Sequence, residues 1–91
     1  IILSPYWQEC VLRGKGRSQY YAKEYQDSID TLNLALSLHD DPTCYIFLSL
    51  DYYALGNLQS GAAWEGKVRA VFANNERVLW QFEELLEEVK E

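Results

Sequence analysis

The chain is short of the residues that build reactive centres. It has one histidine, His39, two cysteines, Cys10 and Cys44, and no methionine in 91 residues. Neither cysteine belongs to a CxxC pair, which excludes a Cys/His structural zinc site within one chain. The two thiols read as small half-buried side chains on helices rather than a disulfide or redox pair, and this favours a reducing intracellular compartment such as the cytoplasm. Basic residues are also few, 8 against 14 acidic ones, for a net charge of −6. A nucleic-acid surface has to neutralise phosphate and an anionic membrane attracts basic segments, so both partners are disfavoured. No apolar run approaches the length of a membrane span. Ile1-Ile2-Leu3 is too short for a signal peptide and lacks its basic flank. The chain does not begin with Met, as expected of an excised or processed fragment, in which any targeting information would be lost.

Catalysis needs convergent groups, such as a nucleophile beside a base or two carboxylates held apart in pKa. A lone histidine and two isolated cysteines offer little, so no enzyme and no cofactor is expected. His39 stands at a helix C-terminus, where an imidazolium suits the dipole. Gly14-Lys15-Gly16-Arg17-Ser18 lacks the Walker spacing and a preceding strand, which rules out a phosphate loop. Glu83-Glu84-Leu85-Leu86-Glu87-Glu88 reads as the solvated face of an amphipathic helix.

What the chain does have is aromatic and apolar content: 14% aromatic and 48% hydrophobic, with three Trp, seven Tyr and three Phe. That argues against disorder. The patterning is helical almost throughout. Both prolines stand at helix starts, as Ser4-Pro5 and Asp41-Pro42, each an N-cap followed by proline in the first turn. The first helix starts at Ser4, with Trp7, Val11, Gly14, Ser18 and Tyr21 on one face. Gly14 and Gly16 weaken it and suggest a bend or a close approach of another helix. After a turn at Ala22-Lys23-Glu24, a second helix runs from about Tyr25 to Leu38 on a stripe of Ile29, Leu32, Ala35 and Leu36. The third, Thr43 to about Leu55, is apolar nearly all round with Asp51 its only charge, so it is either central or covered by a partner. Gly56-Asn57 signals a turn. A fourth helix covers about Leu58 to Phe72, with Ala62, Trp64, Val68, Val71 and Phe72. Asn74-Asn75 breaks it, and the last helix from Glu76 carries Val78, Phe82, Leu85, Leu86 and Val89 on one side. No Gly/Ser/Pro-rich linker divides the chain, so residues 1–91 are expected to form one domain of two helix pairs, about 4–39 and 42–73, and a final helix, 75–91.

Two stretches echo each other. Tyr20-Tyr21-Ala22 recurs as Tyr52-Tyr53-Ala54, 32 positions on. Periods in this range mark stacked helical pairs. With Tyr45, Leu48, Ser49, Tyr52, Gly56 and Gly61 or Ala62 in the second unit, and Tyr20-Tyr21, Tyr25, Ser28, Leu32 and Ala35-Leu36-Ser37-Leu38 in the first, the chain resembles the tetratricopeptide repeat family. The likeness covers roughly Trp7 to Phe72. Ser49 stands where the family has glycine, Glu65 and Val68 where an aromatic and an alanine are usual, and Gly14-Lys15-Gly16 do not register cleanly. The resemblance implies an all-α fold of antiparallel helical hairpins stacked as a superhelix, with the last helix as its cap. It also implies an adaptor or scaffold that holds a partner helix or extended peptide in a groove. A small bacterial secretion chaperone of the same type, and a structural subunit that self-associates into a homo-oligomer, fit as alternatives. The carboxylate-clamping members of the family use Lys, Asn and Arg on their groove helices. The third helix has none, which sets that function aside.

Two stripes are candidate partner-binding surfaces. One is Tyr6, Arg13, Arg17 and Tyr20 on the first helix, since Arg and Tyr anchor interfaces. The other is Ile46, Leu50 and Tyr53 on the third, the groove-lining helix if the pairs stack as the family's do; an apolar groove there takes the apolar side of a partner helix.

Overall fold

The computed structural model describes residues 5–90, with side chains from Gln8 onward except that of Glu9. Ser4 and the side chains of Tyr6 and Trp7 therefore lie outside the described residues. Five helices follow in order: α1 Pro5–Tyr21, α2 Tyr25–Leu38, α3 Pro42–Ala54, α4 Leu58–Val71 and α5 Glu76–Lys90. No strand occurs among the described residues. The helix starts have local causes. The Asp41 carboxylate accepts the Thr43 N–H at 2.9 Å, with Pro42 in the first turn of α3. Asn57 accepts from the Ser60 N–H at 3.1 Å and Asn75 from the Val78 N–H at 3.2 Å. Each side chain satisfies a first-turn donor that has no partner inside its helix.

The helices pack as hairpins: α1 lies on α2 and α3 on α4, with α2 against α3 and both α1 and α5 against α3. So α3 touches every other helix, which explains a helix apolar all round. Cys44, Phe47, Leu48, Ser49, Leu50 and Asp51 are all buried on it. The stripe of α2 is buried as expected, through Ile29, Leu32 and Ala35, and α5 buries Phe82 and Leu86.

The two hairpins repeat one another at a displacement of one position more than the Tyr-Tyr-Ala echo suggests. In the first turn, Lys23 N–H bonds the Tyr20 carbonyl and Glu24 N–H the Gln19 carbonyl; in the second, Gly56 N–H bonds Tyr53 and Asn57 N–H bonds Tyr52. Lys23 (φ 66°) and Gly56 (φ 83°) take the left-handed position of this helix-ending turn. The crossings repeat as well. Ser28 on α2 donates its hydroxyl to the Gly16 carbonyl of α1 at 2.9 Å, and Ser49 on α3 donates to the Gly61 carbonyl of α4 at 2.9 Å. Lys23 and Gly56, Gly16 and Ser49, and Ser28 and Gly61 are all related by the same shift of 33 positions. Serine and glycine have simply exchanged places between the two crossings. The glycine is needed at both, since a Cβ at Gly16 would meet Leu32 Cδ2 at 2.6 Å and one at Gly61 the Tyr53 ring at 2.8 Å.

On α1 the structure corrects the face assignment. Val11 is 51% and Tyr21 56% exposed, and Gly14 and Ser18 are exposed with them. The packed face is Leu12, Gly16 and Tyr20. The reason is physical: this helix docks through a glycine, and a buried glycine leaves no mark in a hydrophobic pattern.

Candidate functional groove

Because α1 and α5 both rest on α3, a furrow runs between them with α3 as its floor. One lobe is a cavity of about 280 Å³. Arg17 and Tyr21 of α1 form one wall, Thr43, Ile46 and Phe47 of α3 the floor, and Val78, Gln81, Phe82 and Leu85 of α5 the other wall, with Phe72 closing it from the end of α4. The second lobe, about 380 Å³, is lined by Tyr20, Tyr21, Lys23, Tyr25, Ala54, Glu88 and Val89. Tyr21 belongs to both lobes. α3 reaches the first lobe through Thr43, Ile46 and Phe47 and the second through Ala54, and Leu50 and Asp51 between them are buried.

An aromatic cluster shapes the middle of the furrow. Tyr20 stands at 5.1 Å edge-on to Tyr21, 5.9 Å from Tyr25 and 5.5 Å from Phe47, and Tyr21 at 6.2 Å from Phe47. Edge-to-face and tilted contacts at these separations are the favoured ones and fix the rings in place. Burial, with the nearby Tyr25, Tyr21, Glu88 and Asp51, pushes the Tyr20 phenol well above its ordinary value, so it stays neutral. Arg17 lies 5.9 Å over the Tyr21 ring. Among the described residues it makes no ion pair.

The structure separates the seven residues proposed from sequence. Arg17 and Ile46 do line the first lobe. Tyr20 is 5% exposed; it lines the second lobe and is mainly a core residue. Leu50 has no exposure and belongs wholly to the core, so it offers nothing to a partner in this conformation. Tyr53 turns towards α4, its ring against Gly61 and its hydroxyl donating to Glu65 at 2.6 Å. Arg13 is ion-paired with Asp41, the N-cap of α3. Burial works against that carboxylate, but the Thr43 N–H and the Arg13 guanidinium hold Asp41 below its ordinary range. Tyr6 lies outside the described side chains. Ile46, Leu50 and Tyr53 therefore do not share one open face, because α3 is enclosed by four neighbours rather than two.

Sequence reasoning missed Tyr21, Phe47, Phe82 and Gln81 as groove residues. The spacing on α1 groups Tyr21 with Trp7 and Val11, on the face opposite Arg17, and the period of α5 shows Phe82 only as part of its apolar stripe. The signal that could have found Tyr21 was its position next to the hairpin turn, where the last helical turn of α1 faces α5.

The groove is anchored on its α5 side by a small polar network. Arg69 of α4 donates to Glu65 at 2.9 Å and to Glu83 of α5 at 3.0 Å, and Lys90 sits 4.6 Å over the Tyr53 ring. Burial opposes ionisation of Glu65, but Tyr53 and Arg69 together lower its carboxyl below the ordinary range. Among the described residues, no three His, Cys, Asp or Glu side chains converge as a metal site, and no helix is long and apolar enough to cross a membrane. Comparison with protein-family models, with curated proteins and with solved structures returns no match.

Proposed function

We propose that the chain is a non-catalytic protein–protein interaction module that holds an amphipathic helix of another protein in the furrow over α3. The observation that carries this reading is the lining itself: the half-buried Ile46, Val78 and Leu85 form an apolar trough over the buried Phe47 and Phe82, with the exposed Tyr21 and Arg17 on its rim. Tyrosine and arginine at the edge of an apolar depression are the residue types that dominate binding energy. An apolar depression of this kind takes the apolar stripe of a partner helix. Arg17 favours a partner with an acidic side chain beside its apolar stripe. A second copy of this chain is a poorer occupant, since two bodies of net charge −6 repel each other.

The 33-position recurrence supports a tetratricopeptide-like architecture. In that reading Gly16 takes the glycine position that the first unit lacked in sequence, and Ser28 and Gly61 are the small residues at which the second helix of each pair crosses the first. The first-of-pair helices α1 and α3, with α5 as the cap, then line the concave side.

A photo-crosslinking side chain placed at position 21, in the groove, is expected to trap a partner that the same group at the exposed Ala70 on α4 does not. Equal trapping at both positions, or trapping only of the chain to itself, would overturn the reading. A trapped partner segment lacking a helical apolar stripe would replace the helix with an extended peptide.

A further inference from the structure

Asp51 sits in the core with no exposure, at the junction of the two hairpins. Its Oδ2 lies 2.6 Å from Ser28 Oγ, and Ser28 Oγ lies 2.9 Å from the Gly16 carbonyl. Its other oxygen, Oδ1, is buried without a partner among the described residues. Three helices meet here: α1 through Gly16, α2 through Ser28 and α3 through Asp51.

The second crossing shows what is unusual about the first. There Ser49 has one hydroxyl proton and one acceptor, the Gly61 carbonyl, and the account balances. At the first crossing one hydroxyl proton faces two acceptors at hydrogen-bond distance. With Asp51 ionised, Ser28 satisfies the carboxylate or the carbonyl, and the other contact sets two lone pairs against each other. With a proton on Oδ2, the carboxyl donates to Ser28 Oγ and Ser28 donates to Gly16, so every contact in the chain is a hydrogen bond.

Among the described residues, the Ser28 hydroxyl is the one group that stabilises the anion, and no cation stands beside it. From α1 the ionisable group nearby is the buried neutral Tyr20 phenol, with Tyr25 of α2 and Glu88 of α5 around it. From α4, Glu65 is engaged with the Tyr53 hydroxyl and Arg69. Lys90 of α5 lies over the Tyr53 ring. An isolated buried carboxylate is costly, and the group neutralises instead. Consistent with this, burial pushes the Asp51 carboxyl up to about 7 from 3.8, against the opposing effect of the Ser28 hydrogen bond.

We propose that Asp51 is a proton-operated fastener: protonated, it ties α3 to the α1–α2 crossing through Ser28 and Gly16, and on losing its proton it loosens the joint between the two hairpins. A group bound to its proton more tightly in the folded state than in the unfolded state adds stability that is complete below the unfolded value and disappears as pH rises through the folded value. The window therefore runs from about 4 to about 7. The inference does not depend on what the groove binds.

The test is made on the whole chain. Carbon-13 NMR of the Asp51 side-chain carboxyl should show a titration midpoint near neutrality; a midpoint in the ordinary carboxylate range overturns the proposal. In parallel, Asp51→Asn supplies an amide that donates to Ser28 as the protonated acid does. The melting temperature of the wild-type protein relative to this variant should fall between about pH 4 and pH 7 and level off above that. A difference that is constant or rises over that interval also overturns it. If the variant does not fold, the carboxyl titration of the wild-type protein decides alone.

Discussion

A methyl group added at Gly61 would meet the Tyr53 ring carbon Cγ at 2.8 Å, whereas one added at Gly14 meets nothing within 4 Å. The two glycines therefore predict opposite outcomes for one substitution. Gly14→Ala lies on the exposed side of α1, where alanine lowers the entropic cost of holding a helix, and should stabilise the protein by roughly 0.5–1 kcal/mol. Gly61→Ala forces the Tyr53 ring away from α4. That ring is held by its hydroxyl bond to Glu65 and by Lys90 above it. Overpacking at such a site costs about 1–3 kcal/mol. Urea denaturation of both variants would separate them. Similar midpoints would show that the hairpin crossing yields more readily than the geometry implies.

At the scale of elements, α5 is held by two devices of unequal strength. Phe82 is 1% exposed, packed in the core and lining the groove. Phe82→Ala should cost about 3–5 kcal/mol, as large-to-small core substitutions do. The Arg69 bridge to Glu83 joins side chains that are 43% and 55% exposed, and solvent screens it. Arg69→Ala should cost no more than about 1 kcal/mol. Denaturation midpoints that reverse this order would make the polar network, not the apolar stripe, the attachment of α5. The elements themselves were legible in the sequence because their punctuation is chemical. Asp41-Pro42, Gly56-Asn57 and Asn74-Asn75 each mark a boundary that a cap or a turn enforces. The stripes of α2 and α5 were legible because large apolar side chains carry the period. On α1 the docking residue is Gly16 and the exposed residues include Val11 and Tyr21, so hydrophobicity pointed to the wrong face. On α3 nearly every position is apolar. No period distinguishes the groove side, with Ile46 and Phe47, from the interior, with Leu48 and Leu50. The pattern therefore points to Leu50 and Tyr53 as groove residues, although neither lines it. The Ser28–Asp51 contact joins positions distant in sequence and has no local signature.

For the molecule as a whole, the groove carries little charge on a body of net charge −6. Arg17 stands in the first lobe, and Lys23 with Glu88 in the second. The two kinds of lining residue should act on different steps of binding. Tyr21 is a large, exposed aromatic shared by both lobes, so its truncation removes an anchor. Tyr21→Ala should weaken the trapped partner by more than about 1 kcal/mol, mostly through faster dissociation. Arg17 is a rim charge, whose field acts before contact. Arg17→Glu should slow association, and the defect should shrink as salt is raised, because exposed charges are screened within roughly 10 Å at 0.1 M ionic strength. Both positions are exposed, so circular dichroism should stay that of the parent chain, and the urea midpoint of Tyr21→Ala should drop by no more than its ring contacts with Tyr20 and Phe47 contribute. Surface kinetics against the purified partner at low and high salt reads both effects. A Tyr21→Ala variant with an unchanged dissociation rate would remove the furrow as the binding surface. An Arg17→Glu defect that persisted undiminished at high salt would mean that the guanidinium is buried against the partner, and the rim of the groove would then have to be redrawn to enclose it.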